Sequence, residues 1–454
     1  NGLCQIFVPH TTAGVTISSP LVAVVTNVAE TALTDTGLSI GQTYFYRLFV
    51  VNRSDTYSAG AERSGTTVPI MLPLVDALED TANWDINLGW GADASQAHTG
   101  AVSMNESPGG NYEVSKDYTM MTAVNLAGTS WPVLTFWDRY ALGGGDWFRL
   151  EVSPDGTNWT PLYGVYHTDS RTEWQWQQVD LSPWRGQANL RIRFRVGTDG
   201  DPATTADGWF VDDVSVAEHV PGGDYAPPLQ ETFEAGLDRW LAAGWVTDST
   251  QSYEGAACAL DGTFNRIAPS VSHHLVLNRE LDLTGSANPQ VTLWVKARLT
   301  YRSWFRVDAS QDGGVNWSEL GGIGFSYTTD NPWTRQQADL SGYAGKKIRL
   351  RVRTNASGDG PEEEVRVDKL TIEERTPDVA FAIPSPATMS VQLSWEASGL
   401  GGAFQRYEIR RATAANVTPA STLVASFTNL NTTAHVDTGL EIGKLYYYRL
   451  FVVD

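Results

Sequence analysis

Cysteine is nearly absent from this sequence. Cys4 and Cys258 are the two cysteines among 454 residues, and they fall in different predicted domains, so we expect no intramolecular disulfide. Small secreted domains that cannot build a sufficient hydrophobic core are usually dense in disulfides. The chain is therefore not of that kind, and its domains must be held together by packed cores.

Long apolar runs are missing as well. No stretch of the sequence approaches the roughly 20 apolar residues that a membrane-spanning helix needs. The sequence therefore predicts no membrane span within this segment.

Basic residues are outnumbered by acidic ones. The chain has 32 Lys and Arg against 52 Asp and Glu, which gives a net charge of −20 and a pI of about 4.7. An anionic surface repels nucleic acid and anionic lipid, so neither is an expected partner. The acidic residues are spread along the chain, which is typical of a solvated extracellular surface or of one that takes up divalent cations.

Recognisable catalytic motifs are also absent. The seven histidines form no H-E-x-x-H pair, and neither a G-x-S-x-G elbow nor a C-x-x-C pair occurs. We therefore expect the segment not to be an enzyme.

Tryptophan and glycine, by contrast, are abundant, with 17 Trp and 42 Gly. Short alternating apolar runs separated by Gly-rich turns predict strands rather than helices. At this length, about three or four all-β domains are expected.

A long repeat frames the chain. The segment VDTGLEIGKLYYYRLFVVD at 436–454 matches TDTGLSIGQTYFYRLFVVN at 34–52 in 13 of 19 positions, with a spacing of 402 residues from Asp35 to Asp437. A repeat of that length must contain several domains. We therefore expect the chain to be part of a longer tandem array.

The two end units share the features of one domain type. In the last end unit (377–454), a Trp on an early strand, Trp395, is followed by a Leu440-to-Gly443 turn and the pair Tyr446 and Tyr448. This pattern resembles the fibronectin type III domain, which implies a β-sandwich. Against that pattern the last end unit lacks its final strand, and the first end unit (1–69) lacks its first two strands.

Two central units, 70–220 and 224–376, resemble each other. FRLEVSPDGTNWTPL (148–162) aligns with FRVDASQDGGVNWSEL (305–320), and GWFVDDVSV (208–216) aligns with EVRVDKLTI (364–372). The opening Phe/Leu-Glu, the S-x-D-G-x-x-W hairpin, the V-D-L-S segment and the closing V-D-D-V make the first central unit similar to MAM-like jelly-roll domains of secreted bacterial proteins. The second central unit shares the resemblance, with its closing motif changed to V-R-V-D-K-L. That resemblance implies an adhesive or accessory role.

A carboxylate ends the core-facing row of each closing strand. Asp212 shares its parity with Val214 and Val216, so it should face the core, and Asp368 stands in the same position in the second central unit. A buried carboxylate needs a partner. An Arg, backbone N–H groups or a cation would each serve.

Acidic companions make calcium one of those alternatives. Asp207 precedes Asp212 in a Gly-rich loop, and Glu79 lies on the opening strand, which in a jelly roll often runs beside the last one; Glu234 aligns with Glu79 in the second central unit. Oxygen ligands of this kind suit Ca²⁺. The sequence thus predicts a structural calcium site, with an Asp bonded to the backbone as the alternative.

Aromatic residues offer a second candidate site. Trp174 and Trp176 share parity on one strand, so their indoles should face the same side. If that side is solvent, they form a platform on which a sugar ring could stack; if it is the core, they are packing residues. Periodicity alone does not decide between these alternatives.

Taken together, the sequence favours a structural or adhesive tandem-repeat segment of a secreted or cell-surface bacterial protein. Self-association with neighbouring repeats or copies, including assembly into an extracellular filament, would follow from regular packing of the units. The rival hypothesis is a pair of carbohydrate-binding accessory modules with a polysaccharide partner. A third is a set of non-catalytic tail domains of a secreted protease.

Overall fold

The computed structural model describes residues 3–453 except 8–9, 13–14, 18–20, 26–42, 52–60, 167–168, 262–270, 356–363, 376–378, 382–388, 399–403 and 442. In this part of the chain the regular structure is all β, apart from two short 3₁₀ turns at Ser182–Trp184 and Ser341–Tyr343. None of it forms a helix long and apolar enough to cross a membrane. The predicted fold class, a string of β-sandwiches, is confirmed.

The first end unit contributes six strands. Four of them form a sheet in the order β4-β1-β5-β6, and β2 pairs with β3. The strands are β1 (Leu3–Phe7), β2 (His10–Thr12), β3 (Val15–Ile17), β4 (Leu21–Val25), β5 (Thr43–Val51) and β6 (Ala61–Thr66).

The first central unit is a sandwich of two six-stranded sheets. One has the order β10-β11-β18-β13-β16 with β8 beside β18; the other has the order β15-β14-β17-β12-β7 with β9 beside β12. The strands are β7 (Ile70–Met71), β8 (Leu74–Asp76), β9 (Asp85–Asn87), β10 (Gly91–Asp93), β11 (Ser103–Asn105), β12 (Asp117–Asn125), β13 (Pro132–Leu142), β14 (Trp147–Ser153), β15 (Thr160–Tyr166), β16 (Asp169–Asp180), β17 (Leu190–Gly197) and β18 (Gly208–Glu218).

The second central unit repeats this plan with two longer strands. β25 and β26 each run through both layers and join them into one ten-stranded sheet. The strands are β19 (Leu229–Glu231), β20 (Trp240–Ala242), β21 (Trp245–Asp248), β22 (Cys258–Asp261), β23 (Ser272–Leu277), β24 (Leu281–Asp282), β25 (Pro289–Ser310), β26 (Ser318–Asp339), β27 (Lys347–Asn355) and β28 (Glu364–Glu374).

The last end unit places two three-stranded sheets, β29-β30-β33 and β32-β31-β34, around a small core. Trp395 lies in that core, 5.8 Å from Tyr407 between ring centroids. The strands are β29 (Val379–Phe381), β30 (Ser390–Trp395), β31 (Arg406–Ala412), β32 (Thr422–Phe427), β33 (Ala434–Thr438) and β34 (Tyr447–Val453).

Strict alternation builds the core of the first central unit. Along β13 the even-numbered residues from Leu134 to Leu142 point inward and are buried, while their neighbours face outward. Trp209 lies at the centre and is fully buried, with its ring stacked 4.1 Å from that of Phe148. Along β13, the inward-facing row is therefore apolar with one exception, Asp138, whose partners are described with the interface below.

The S-x-D-G-x-x-W segment forms the predicted hairpin. Asp155 Oδ1 accepts hydrogen bonds from the N–H groups of Thr157 (2.8 Å) and Asn158 (2.7 Å), and Gly156 has a φ of +75°. These bonds, first of all the one from Asn158, hold the pKa of Asp155 below its usual range. The role of the motif is thus to close a turn between β14 and β15.

Candidate functional sites

Asp212 holds a loop of the first central unit. The side chain is fully buried, as its parity predicted. Oδ2 accepts hydrogen bonds from the N–H groups of His98 (2.7 Å) and Thr99 (3.2 Å), and Oδ1 accepts one from the N–H of Asp213 (2.8 Å). Backbone N–H groups are therefore the hydrogen-bond partners of this buried carboxylate.

Glu79 holds the same loop two residues further along. Its two carboxylate oxygens lie 3.0 and 3.3 Å from the N–H of Ala101. Gly100 has a φ of +66°, and a Cβ at this position would lie 1.6 Å from Glu79 Oε1, so only glycine fits. Both predicted carboxylates thus converge on one loop.

The second central unit uses the same device. Asp368 accepts the N–H groups of Tyr253 (2.8 Å) and Glu254 (3.0 Å), and Glu234 accepts those of Ala256 (2.9 Å) and Ala257 (3.0 Å). Asp368 and Glu234 therefore bind the backbone of their loop as Asp212 and Glu79 do in the first central unit.

Asp207, the fifth predicted ligand, lies near two other charged side chains, those of Asp93 and Arg139. Burial, followed by the nearby carboxylate of Asp93, raises its pKa, while Arg139 acts in the opposite direction. Within the described ranges, no three His, Cys, Asp or Glu side chains are grouped so as to hold a metal ion. The calcium site stays a prediction.

The aromatic residues of the first central unit gather beside the loop that Asp212 holds. The His98 imidazole stacks on Trp137 at 4.0 Å with an interplanar angle of 14°, and it meets Trp174 edge-on at 5.9 Å. Trp137 and Trp176 are cross-strand partners whose rings lie 6.4 Å apart at 20°. His98 Nδ1 lies 2.6 Å from Asp213 Oδ2, which fixes the ring.

These rings face outward. Trp176 is 45% exposed and Trp174 is half-buried, and neither belongs to the apolar core. Periodicity left open whether Trp174 and Trp176 face solvent or the core, and in the structure they face solvent. A flat, partly exposed aromatic surface can stack on an apolar ring face.

The second central unit keeps part of this surface. Tyr253 stacks on Trp294 at 3.7 Å and 12°, and Trp333 lies edge-on at 6.2 Å. Arg335 occupies the position of Trp176, as the cross-strand partner of Trp294. The exposed end of the aromatic row is therefore present only in the first central unit.

A buried interface joins the two central units. Arg349 of β27 reaches the first unit, where Nη2 lies 2.9 Å from Asp180 Oδ2 and Nη1 lies 2.7 Å from Ser182 Oγ. The Arg349 and Asp180 side chains are 1% and 3% exposed. The guanidinium also stacks on Trp131, 3.6 Å from the ring centroid.

An apolar cluster surrounds this ion pair. It consists of side chains from both units, and its members are Trp131, Val133, Leu241, Val276 and the partly buried Trp317. Because these side chains lose water only when the units are in contact, they supply the hydrophobic part of the association.

Backbone and polar contacts extend the interface. The Gly244 N–H donates to Gln177 Oε1 at 3.0 Å. His273 Nε2 lies 3.3 and 3.2 Å from the N and O atoms of Gly164, while Nδ1 lies 2.7 Å from Asp261 Oδ1. These contacts give the Gly244 N–H and the His273 ring hydrogen-bond partners in the first unit.

The interface is connected to the buried polar group inside the first central unit. Asp138, fully buried, accepts hydrogen bonds from Tyr163 Oη (2.8 Å), Trp209 Nε1 (3.0 Å) and Gln177 Nε2 (3.0 Å), and it pairs with Arg171. Gln177 thus spans the core carboxylate on one side and the second unit on the other. Sequence reasoning missed this network, although an Asp at an inward-facing position of β13 was a signal that could have found it.

Comparisons with known proteins returned structures but no family. No protein-family model and no curated protein matches the chain. Among solved structures, the N-terminal CBM22-1–CBM22-2 tandem domain of Xyn10C from Paenibacillus barcinonensis aligns at 14% identity and a TM-score of 0.24, covering 68% of this chain and 100% of that one.

Two further structures align with shorter parts of the chain. The K1 cleaved adhesin domain of Lys-gingipain from Porphyromonas gingivalis W83 aligns at 19% identity and a TM-score of 0.24, covering 33% of this chain and 98% of its own. TmCBM61, solved with β-1,4-galactotriose, aligns at 17% identity and a TM-score of 0.23, covering 31% and 90%. At these scores no residue role is transferred from any of them.

The buried carboxylate predicts a defined pH dependence. Burial raises the pKa of Asp212 to about 6 despite its N–H partners, above the value of about 3.9 for an unfolded chain. Its contribution to stability is then complete below about pH 4 and is lost as the pH rises through about 6. In buffer freed of calcium by a chelating resin, the melting temperature of the wild-type protein relative to Asp212→Asn should fall over this range.

The control variant is Asp80→Asn, whose side chain accepts one exposed N–H, from Ala82. A melting-temperature difference that grows from pH 4 to pH 6 would contradict the prediction. Repeating the series in calcium tests the metal hypothesis separately, since an ion bound to the native state must raise the melting temperature of the wild-type protein.

Proposed function

We propose that this chain is a structural and adhesive tandem-repeat segment of a secreted or cell-surface protein. The observation that carries the proposal is the buried interface between the central units. A spacer or stalk must keep its domains at a fixed distance and angle, and domains joined only by a flexible linker move relative to one another. The Arg349–Asp180 pair, enclosed by an apolar cluster, provides a specific geometry instead.

Sequence features support the same proposal. The 402-residue repeat extends this arrangement along a longer array. The resemblance of the end units to fibronectin type III domains and of the central units to MAM-like domains favours an extracellular, bacterial setting. The role we propose is non-catalytic, and the net charge of −20 disfavours nucleic acid as a partner.

Rigidity of the central pair tests this proposal. Spin labels at Ala127→Cys and Ala287→Cys, two exposed positions in different central units, should give one narrow distance distribution by pulsed electron resonance. Both labelled proteins also carry Cys4→Ser and Cys258→Ser, so that only the introduced cysteines react. Serine suits position 258, because Ser103 occupies the equivalent position of the first central unit. Its Oγ donates a hydrogen bond to Gln96 O, as Cys258 Sγ donates one to Gln251 O. A broad distribution in the otherwise wild-type protein would overturn the proposal, and the same labels with Arg349→Ala provide the flexible reference.

A second candidate function, binding of a polysaccharide, is favoured by the outward aromatic surface of the first central unit. Trp176, Trp137 and His98 present nearly parallel rings beside a solvent-exposed strand. A pyranose ring can stack on such a surface and remove its apolar area from water. Neutral polymers fit best, since the chain itself is strongly acidic.

The matching prediction concerns Trp176. Affinity electrophoresis in gels containing xylan, β-1,4-galactan or hydroxyethylcellulose should show retardation of the wild-type protein by at least one polymer. Trp176→Ala should weaken binding about tenfold or more, because losing one stacked aromatic contact costs roughly 1.5–3 kcal/mol. Arg335→Ala, at the equivalent position of the second central unit, is the control that should bind as the wild type does. Equal retardation of the Trp176 variant would refute the site.

A further inference from the structure

The contact between the central units joins different surfaces of two equivalent domains. The first unit contributes what we name the acceptor surface, Gln177, Asp180 and Ser182. The second contributes the donor surface, consisting of Arg349 and the turn at Ala243–Gly244. Such a contact is heterologous, so each unit can in principle carry both surfaces.

The acceptor surface recurs on the second central unit. Gln336, Asp339 and Ser341 align with Gln177, Asp180 and Ser182 (QVDLS and QADLS end the paired strands). The local geometry is also repeated: Asp180 Oδ1 accepts the Ser182 N–H at 3.1 Å, and Asp339 Oδ1 accepts the Ser341 N–H at 2.7 Å. Whereas Asp180 and Ser182 are buried by the second unit, Asp339 and Ser341 are exposed.

The donor surface recurs on the first central unit. Arg191 faces Ser153 across two paired strands, as Arg349 faces Ser310. The hairpin glycine lies against the guanidinium in both units, since a Cβ on Gly156 would lie 1.5 Å from Arg191 Nη1 and one on Gly314 would lie 2.2 Å from Arg349 Nη1. In both units, the hairpin glycine therefore leaves room for the equivalent arginine.

The turn of the donor surface is exposed on the first central unit and buried in the interface on the second. The turn at Leu88–Gly89 follows β9 as the turn at Ala243–Gly244 follows β20, so Leu88 is equivalent to Ala243 and Gly89 to Gly244. The positive φ lies at Leu88 (+59°) in the first turn and at Gly244 (+78°) in the second. Leu88 is 59% exposed, whereas Ala243 is 2% exposed because the first unit covers it. The exposed Leu88 and the half-buried Arg191 leave this surface open to a partner.

We propose that the donor surface of the first central unit, at Arg191, docks on the acceptor surface of the second central unit, at Asp339, of another copy of this chain. The charges are complementary, and the chemistry continues that of the interface already formed within the chain. Because the contact is heterologous, it adds copies head to tail and produces an open polymer. This inference deepens the proposed structural function and rests on it.

The contact between copies is weaker than the one within the chain. Asn288 occupies the position where Trp131 packs under Arg349, so the cation–π contribution is lost. We therefore expect reversible association, with a dissociation constant on the order of micromolar, rather than a permanent assembly.

Sedimentation velocity of the full chain tests the inference. Over a hundredfold range of concentration, the weight-average sedimentation coefficient of the wild-type protein should rise without levelling off at the dimer. Arg191→Ala and Asp339→Ala should each remain monomeric alone. Mixed in equal amounts, they should form dimers and nothing larger, because each supplies the surface that the other lacks.

Arg335→Ala, which removes the same charge from the aromatic face, is the control and should polymerise as the wild type does. All variants should give the circular dichroism spectrum of the wild-type protein at the temperature of the experiment, which excludes unfolding as the cause. A wild-type protein that stays monomeric throughout, single variants that associate unchanged, or a mixture that grows beyond dimers would each overturn the inference. The spin-label distance within one chain is independent of these outcomes, so failure here leaves the rigid-segment proposal separately testable.

Discussion

The buried ion pair between Arg349 and Asp180 is the constraint on which the arrangement of the central units depends. A charge at this depth is tolerated only with a well-placed partner, and this pair meets its partner only when the units are docked in one orientation. If the units separate, water solvates both charges, so the pair itself adds little net affinity. The apolar cluster around Trp131 and Trp317 supplies the affinity, and the ion pair selects the orientation.

The two central units share some structural features and differ in others. The carboxylates that hold the loop before β11 and before β22 are retained in both units with the same backbone partners, because losing either would leave N–H groups of the loop unsatisfied. The outward aromatic row differs between the units, with Arg335 in place of Trp176. The docking surfaces differ in part, with Asn288 in place of Trp131, although Arg191 and Asp339 repeat Arg349 and Asp180. The residues that fold each unit are therefore shared, whereas the surfaces that meet partners are shared only in part.

Much of the fold followed from local patterns in the sequence. Strand parity placed Asp212 in the core, and the hairpin at Asp155 formed as its spacing indicated, since both depend on residues a few positions apart. The interface between the central units could not be predicted in this way, because Asp180 and Arg349 lie 169 residues apart. In its local sequence, each residue has the pattern of a solvated charge. Which face Trp174 and Trp176 present was also beyond periodicity, since it depends on which side of β16 packs against the opposite sheet.

The most direct test of the account is calorimetric unfolding of the full chain with and without Arg349→Ala. Removing the arginine leaves Asp180 buried without its partner in the docked state, which costs about 3–5 kcal/mol and favours separation of the units. We expect the central units of the wild-type protein to unfold in one cooperative transition and Arg349→Ala to divide it into two. Arg191→Ala, the same change at the equivalent half-buried position outside the interface, should leave it single. Two separate transitions in the wild-type protein, unchanged by Arg349→Ala, would contradict the claim that the interface makes the central units one structure.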